Sequence, residues 1–252
     1  MARNTRPAGA LTLPRLMGHR GAAAHAPENT LAGFRAAAGL GLGWVEFDVM
    51  LSGDGVPVLF HDDSLKRITG RDAMMAETPA AALGGLDAGA WFGPAFKGEA
   101  LPTLERALEV LVELGLRPNM EIKPTPGRDV ETAVAALDVL ARRWPAAHPP
   151  PLVSSFSRAC LGEALRRAPD LPRGYLVRRP PRDWAAAAGD LRCSAVHVLW
   201  RWLSAELAGR IKAAGYGLAS FTVNDPGVAR RLRARGVDCL ISDAPDRLQD
   251  PA

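Results

Sequence analysis

Short apolar runs alternate with longer amphipathic stretches along most of the chain. The runs have the length of β-strands and fall at Leu16–His19, Trp44–Leu51, Val56–His61, Asn119–Lys123, Leu152–Phe156, Gly174–Val177, Ala195–Leu199, Gly217–Val223 and Val237–Ser242. Helical patterns lie between most of them, at 29–41, 102–115, Asp129–Arg143, Arg158–Arg167, Arg182–Ala188, Ser204–Ala214 and 225–236. This rhythm predicts an α/β fold, a (β/α)8 TIM barrel, with a doubly wound sheet as the alternative.

Nine strand candidates exceed the eight places of such a barrel, and one junction explains the surplus. Only residues 52–55 separate the second run from the third. A parallel crossover needs a dozen or more residues, so these two strands are predicted to form an antiparallel β-hairpin. The third run is then an extra strand beside the second, and the hairpin returns His61 to the level of Glu46 and Asp48.

The strand–helix rhythm breaks between residues 64 and 101. This stretch is rich in glycine and carries the aromatic residues Trp91, Phe92 and Phe96. It is too long for a plain loop in a compact domain. We therefore expect one barrel domain over residues 1–252, with an inserted lid or small subdomain at 64–101 that leaves from the same end as His61.

Composition and charge narrow the class of protein. The chain is 48% hydrophobic and 23% charged, with a net charge of +4, which is ordinary for a soluble domain. The arginines are spread over predicted helices, which indicates solvated helix faces and no nucleic-acid partner. No stretch is long and apolar enough to span a bilayer, so no stable membrane insertion is expected.

The N-terminal segment and the cysteines bear on the cellular compartment of the protein. Residues 1–14 lack the long apolar region of a signal peptide. Three cysteines with wide spacing and no C-x-x-C pair predict buried free thiols in a reducing compartment. Both observations favour a cytoplasmic protein.

Carboxylates follow the ends of two predicted parallel strands. Glu46 and Asp48 end one strand, and Glu121 ends the next one. The spacing of two residues places Glu46 and Asp48 on one strand face, and the C-terminal ends of barrel strands meet at one mouth. Three carboxylates there form a site of hard oxygen ligands, suited to one divalent ion, either Mg²⁺ or Ca²⁺.

Histidines and cations end the same strands. His19 and His61 flank the predicted metal site and suit general acid and base roles. Arg20 and Lys123 add fixed positive charge for an anionic oxygen. Each of these residues alone could be an ordinary surface residue. Metal ligands, cations and proton carriers at one barrel mouth together favour a metal-assisted phosphoesterase.

Several sequence blocks carry a family resemblance as well. The chain resembles the glycerophosphodiester phosphodiesterases, most of all the cytoplasmic bacterial enzymes. The blocks are His19-Arg20-Gly21, Pro27-Glu28-Asn29-Thr30, Glu46-Phe47-Asp48, His61-Asp62-Asp63 and Glu121-Ile122-Lys123-Pro124, with Ser154-Ser155-Phe156, Thr222-Val223-Asn224, Gly236-Val237-Asp238 and Ser242-Asp243 further on. The resemblance implies a (β/α)8 barrel, a divalent metal, and hydrolysis of glycerophosphodiesters to sn-glycerol 3-phosphate and an alcohol.

The resemblance also implies a role for each matching residue. The implied metal ligands are Glu46, Asp48 and Glu121, the implied catalytic pair is His19 and His61, the implied phosphate contacts are Arg20 and Lys123, and Phe156 and Phe221 are candidate walls for glycerol. The implied partner is a small glycerophosphodiester. Which histidine is the first base stays open, as does the choice between capping and substrate contact for Asn29 and Thr30.

Two other functions compete with this hypothesis. One keeps the site and changes the substrate to a lysophospholipid or a phosphoinositide-like headgroup, and its sign would be an exposed apolar lip at 91–96. The other is a module that binds phosphodiesters without cleaving them. Loss of a metal carboxylate or a histidine would indicate such a module, and all of these residues are present.

Overall fold

The computed structural model describes residues 11–249, and within them a closed β-barrel is surrounded by helices. The strands are β1 (Leu16–Gly18), β2 (Trp44–Leu51), β3 (Pro57–Leu59), β4 (Arg117–Ile122), β5 (Leu152–Ser155), β6 (Arg173–Val177), β7 (Ala195–Leu199), β8 (Gly217–Phe221) and β9 (Cys239–Ser242). Their order is β1-β9-β8-β7-β6-β5-β4-β2-β3, and pairing of β1 with β2 closes a ring of eight parallel strands. The predicted TIM barrel is therefore confirmed.

Strand β3 lies outside the ring, as the short junction predicted. It pairs antiparallel with β2, and Val49 lies opposite Leu59. Continuing this register, His61 follows β3 by two residues and returns toward the level of Phe47, between Glu46 and Asp48. The hairpin thus brings a histidine to the carboxylates of β2.

Helices cover the outside of the barrel. The helices are α1 (Leu31–Gly39), α2 (Lys66–Thr69), α3 (Ala80–Leu83), α4 (Leu104–Glu113), α5 (Asp129–Arg143), α6 (Arg158–Arg167), α7 (Trp184–Asp190), α8 (Ala205–Ala213) and α9 (Pro226–Ala234). Several begin at a side-chain cap: Thr103, Ser157, Ser204 and Asp225 each accept a hydrogen bond from a backbone N–H three residues on. Outward-facing strand residues such as Phe47 and Met120 pack with these helices in the larger apolar cores.

The 64–101 segment has an apolar cluster of its own. It contains α2, α3 and two short 3-10 turns, at Met75–Glu77 and Pro94–Phe96. Leu65, Ile68, Met75, Leu83 and Leu101 pack on the hairpin residues Met50, Val58 and Phe60. The segment is thus an ordered layer on the hairpin, and its role as a lid stays a prediction.

Other expectations can be compared with the described residues. All three cysteines are buried and free, as predicted. No helix within residues 11–249 is long and apolar enough to cross a membrane. The absence of a signal peptide was predicted largely from residues 1–10, which lie outside the described residues.

A buried arginine binds two loops at the barrel end opposite the strand C-termini. Arg173, at the start of β6, has no exposed side-chain surface. Its guanidinium donates five hydrogen bonds to backbone carbonyls, those of Leu191, Ala168, Leu171, Pro169 and Arg192. All five donors are used, so this one side chain ties two αβ loops to the barrel.

We expect Arg173→Met to lower the free energy of unfolding by roughly 3 kcal/mol, because buried carbonyls lose their donors. Activity below the melting temperature should stay near normal, because this end of a barrel supports stability and not catalysis. Urea unfolding followed by circular dichroism measures the effect. The exposed Arg166→Met is the control, and equal stability of both variants would contradict the assignment.

Candidate active site

Three carboxylates meet inside the barrel, two from the middle of β2 and one from near the C-terminal end of β4. Glu46, Asp48 and Glu121 are each no more than 8% exposed. Asp48 lies opposite Glu121 in the parallel register, so both side chains point inward from adjacent strands. One oxygen from each of the three residues lies within 4.8 Å of the others. The structure therefore brings the predicted metal ligands together.

The electrostatics of this cluster fit a cation. Burial raises the pKa of Glu46 well above its ordinary value, and the charges of Asp48 and Glu121 add to the rise. Burial, together with the charge of Asp48, raises the pKa of Glu121 to about 8. Three like charges in a buried site are costly, and a divalent ion with oxygen ligands removes the cost. These residues fit a hard metal ion such as Mg²⁺ or Ca²⁺.

Asp48 behaves differently from the two glutamates. Burial alone would raise its pKa, but the charges of Arg20, His61 and Lys123 bring the pKa below its ordinary value. Asn29 also donates from Nδ2 to Asp48 Oδ2 at 2.9 Å, and the backbone N–H of Asp48 donates to Asn29 Oδ1 at 3.1 Å. Asp48 is thus held as a carboxylate in one orientation.

The helix start at Asn29 and Thr30 shows which of the two residues caps α1, and a contact of either with substrate stays a prediction. Thr30 is the N-cap of α1, and its hydroxyl accepts from the backbone N–H of Gly33 at 3.1 Å. Asn29 adopts a left-handed conformation with φ of 54°, which asparagine tolerates better than most residues. Its side chain orients Asp48, so Thr30 caps the helix and Asn29 serves the acidic cluster.

His19 follows β1 and is oriented by an aspartate from the end of the chain. Its Nδ1 lies 2.5 Å from Asp243 Oδ1, and its Nε2 lies 3.9 Å from Glu46 Oε2. Asn224 fixes Asp243 through a 2.7 Å hydrogen bond from Nδ2 to Oδ2. The aspartate therefore holds one ring nitrogen and directs the other toward the carboxylates.

His61 has the same arrangement on the other side of the cluster. Its Nδ1 lies 2.6 Å from Asp62 Oδ1, and Arg67 donates from Nε to Asp62 Oδ2 at 2.6 Å. Burial lowers the pKa of His61, although the charge of Asp48 opposes this change. The neutral imidazole is favoured, and Nε2 is the nitrogen left to exchange a proton with a ligand.

Arg20 connects the acidic cluster to the loops around it. Its backbone N–H donates to Glu46 Oε2 at 3.1 Å, and its Nε lies 3.2 Å from Asp48 Oδ2. One terminal nitrogen donates to Glu28 at 2.6 Å, and Glu28 also accepts two hydrogen bonds from Arg67. The guanidinium lies among carboxylates, so the predicted contact with phosphate stays a prediction.

Comparison with known proteins identifies the family. A model of the glycerophosphoryl diester phosphodiesterase family matches residues 19–247. The chain belongs to that family. It is 29% identical to a glycerophosphodiester phosphodiesterase of Caldanaerobacter subterraneus subsp. tengcongensis, over 92% of this chain and 95% of the relative. The family prediction is confirmed, and as a member the chain is a phosphoric diester hydrolase.

Solved structures of other members have the same barrel. A phosphodiesterase of Oleispira antarctica, solved with the product sn-glycerol 3-phosphate, is 42% identical with a TM-score of 0.91, over 94% of this chain and 96% of that one. The glycerophosphodiester phosphodiesterase of Thermotoga maritima is 27% identical with a TM-score of 0.73, over 92% and 95% of the two chains. The likeness extends over nearly the whole barrel.

The remaining predicted residues of this phosphodiesterase lie around the same mouth. Lys123 follows β4, is partly buried, and forms no salt bridge within residues 11–249. Phe156 and Phe221 follow or end β5 and β8, and their ring centroids lie 5.9 Å apart at an edge-to-face angle of 81°. They form a partly exposed apolar wall, and their contact with glycerol stays a prediction.

The residues that orient the two histidines are not among those assigned a role from the sequence. Asp62 and Asp243 belong to the blocks of the resemblance, without a single assigned role. Arg67, which joins Asp62 to Glu28 from within the 64–101 segment, belongs to none of these blocks. Its only signal was proximity to His61 along the chain, which does not specify which way an arginine points.

Proposed function

We propose that this family member hydrolyses glycerophosphodiesters to sn-glycerol 3-phosphate and an alcohol, using one divalent metal ion and two histidines. One observation carries the proposal: a buried triad of carboxylates is flanked by two histidines, each of which has Nδ1 held by an aspartate. The Oleispira antarctica enzyme, with its product sn-glycerol 3-phosphate, supports the same product here.

The metal ion is assigned to Glu46, Asp48 and Glu121. An oxygen-ligated divalent ion supplies Lewis acidity, which stabilises negative charge on the phosphate oxygens. Asn29 keeps Asp48 in place, and the backbone N–H of Arg20 does the same for Glu46. The chain therefore presents a preorganised ligand set, and the donor types favour Mg²⁺ or Ca²⁺ over softer metals.

The histidines carry the protons. One histidine takes the proton of the glycerol 2-hydroxyl, whose oxygen attacks phosphorus, and the other gives a proton to the departing alcohol. The P–O bond to the alcohol breaks as the new bond forms, which leaves a cyclic glycerol phosphate. Water then opens the ring with the two roles reversed, and both histidines return to their starting states. Asp243 and Asp62 fix the tautomers that these steps require.

The experiment that tests the function measures release of sn-glycerol 3-phosphate. Glycerophosphocholine and glycerophosphoethanolamine are the substrates, with the enzyme as purified, after chelation, and after addition of Mg²⁺ or Ca²⁺. We expect chelation to abolish release and one of the two ions to restore it. Full release after exhaustive chelation would exclude the metal, and no release under any condition would exclude the substrate class.

A second substrate class is favoured by one surface feature. Trp91 is 42% exposed and packs edge-on against Phe92, which packs against Phe96. Such a lip suits an acyl chain, as in a lysophospholipid. Comparing turnover of lysophosphatidylcholine and glycerophosphocholine by the wild type and by Trp91→Ala tests it. A loss confined to the acylated substrate would support the second class.

Lys123 is predicted to act on the phosphate and not on the metal. We expect Lys123→Ala to lower kcat by roughly 10²-fold, because an oriented cation next to developing charge is lost. Metal affinity measured by calorimetry should change little, since ammonium cannot bind a cation. Arg20→Lys should also lower activity, because a point charge does not replace a guanidinium fork. A fall in metal affinity that parallels the loss of activity in Lys123→Ala would contradict this role.

A further inference from the structure

The barrel mouth has two halves with different chemistry. The predicted metal ligands and histidines lie at the ends of β1, β2, β4 and the hairpin. The opposite half, after β5 to β8, carries no member of the acidic cluster. This second half faces the acidic cluster across the barrel axis.

Arginines and aromatic rings dominate that second half. After β6, the guanidinium carbon of Arg178 lies 5.5 Å from the ring centroid of Phe156. The next residue, Arg179, stacks at 4.9 Å on Trp202, which is 49% exposed. Stacking on aromatic faces restrains flexible arginine side chains without consuming their hydrogen-bond donors. The two guanidinium groups are therefore partly ordered and open to a ligand.

Neither arginine has an acidic partner among the described residues. Asp183, which follows them along the chain, pairs with Arg158 instead. Across the mouth, by contrast, Arg20 and Arg67 are both paired with Glu28. Arg178 and Arg179 thus leave uncompensated positive charge on this half of the mouth.

Arg178 lies at the same end of the barrel as the acidic cluster. It follows the end of β6, two strands from β4, which carries Glu121, and the ring it stacks on, Phe156, follows the intervening strand β5. Lys123 lies two residues from Glu121 in the sequence and is assigned to the phosphate of the diester. The arginine pair is therefore available for a second anionic group of the substrate.

We propose that Arg178 and Arg179 form a headgroup subsite that selects glycerophosphodiesters whose alcohol carries a phosphate of its own. This inference rests on the proposed function and specifies its substrate class. Guanidinium groups bind phosphate through paired N–H donors, and a cationic alcohol such as choline gains nothing from them. The stacked rings of Phe156 and Trp202 hold the donors at the rim of the mouth.

The test uses a matched pair of substrates, glycerophosphoinositol and glycerophosphoinositol 4-phosphate, which differ only in the second phosphate. In the wild type, kcat/KM should be higher for the phosphorylated substrate. Arg178→Gln and Arg179→Gln should each lower that preference about tenfold, chiefly through KM, because each removes a charge-assisted contact. Arg182→Gln, an exposed arginine on the same loop, is the control and should keep the preference.

Other outcomes are distinguishable. Unchanged preference in both variants, or equal loss on both substrates, would overturn the subsite. Glycerophosphocholine reports on the proposed function separately, since it has no second phosphate: failure of the wild type to hydrolyse it would contradict the proposed function and would not by itself bear on the subsite. Binding of the wild type to vesicles containing anionic lipid, lost in the double variant while the preference persists, would assign the arginines to a membrane surface and also refute the subsite. Melting temperatures exclude misfolding.

Discussion

Exchanging Glu121 for glutamine should lower phosphodiesterase activity by roughly 10³-fold, the scale of losing one preorganised electrostatic contact in a catalytic site. The carboxylate lies buried within 4.8 Å of Glu46 and Asp48 in the set assigned to the metal. Glutamine keeps the shape and one oxygen but removes the charge that holds a divalent ion. Metal affinity, measured by calorimetry, should fall along with kcat.

The matched control is Glu113→Gln, an exchange of the same kind on the exposed end of α4. It should change neither activity nor metal affinity. Glu121→Gln activity within threefold of the wild type would show that this carboxylate is not needed for turnover, and the metal site would have to be placed elsewhere. Unchanged metal affinity with lost activity would instead make Glu121 a group that acts on substrate.

The same residue predicts a pH dependence of stability. The folded, metal-free protein raises the pKa of Glu121 from 4.5 to about 8, through burial and the charge of Asp48. The folded state therefore keeps a proton that the unfolded chain releases, so the contribution of Glu121 to stability is fully present below about pH 4.5 and is lost as the pH rises toward 8. Metal addition should reverse the fall. In Glu121→Gln the slope should be smaller.

Much of the barrel could be predicted because the patterns that indicate its strands, helices and short junctions are local in the sequence. The four-residue junction at 52–55 excludes a parallel crossover, and this excluded the wrong topology before any contact was known. The residues at which strands end depend less on local sequence. The third strand was predicted to run from Val56 to His61 but spans only Pro57–Leu59, because its pairing with β2 stops where Leu59 lies opposite Val49.

The acidic cluster was predictable because a period of two fixes which residues share a strand face. Glu46 and Asp48 needed only that rule, and Glu121 needed the parallel register of the adjacent strand. The partners of the histidines were harder. Asp243 lies 224 residues from His19 along the chain, and their contact exists only because β9 closes the barrel against β1.

Residues in short elements and at helix starts could not be assigned a role from the sequence. Arg67 belongs to a four-residue helix in a segment without strand or helix rhythm, yet it connects Asp62 and Glu28. Asn29 fits equally well as a helix cap or as a ligand contact by pattern alone. In the structure its backbone is left-handed and its amide donates to Asp48, while Thr30 is the cap.

Removing either histidine should lower the rate by 10²-fold to 10⁴-fold, the range for loss of general acid–base catalysis. His19→Ala and His61→Ala each remove a ring whose Nδ1 is held by an aspartate and whose Nε2 is left for the reaction. Both rings are partly exposed at strand ends, so the melting temperature should change little. Steady-state kinetics with glycerophosphocholine measure the loss.

His25→Ala is the matched control, because His25 also pairs with an aspartate, Asp246, but is exposed and uses Nε2 for the pair. It should keep normal activity. The aspartates that orient the catalytic rings provide a finer test: Asp62→Asn and Asp243→Asn should lower kcat less than loss of the ring and shift the pH–rate profile, since the imidazole stays but its orientation and basicity change. A near-normal rate in His19→Ala or His61→Ala would remove that histidine from the mechanism, whatever its aspartate does.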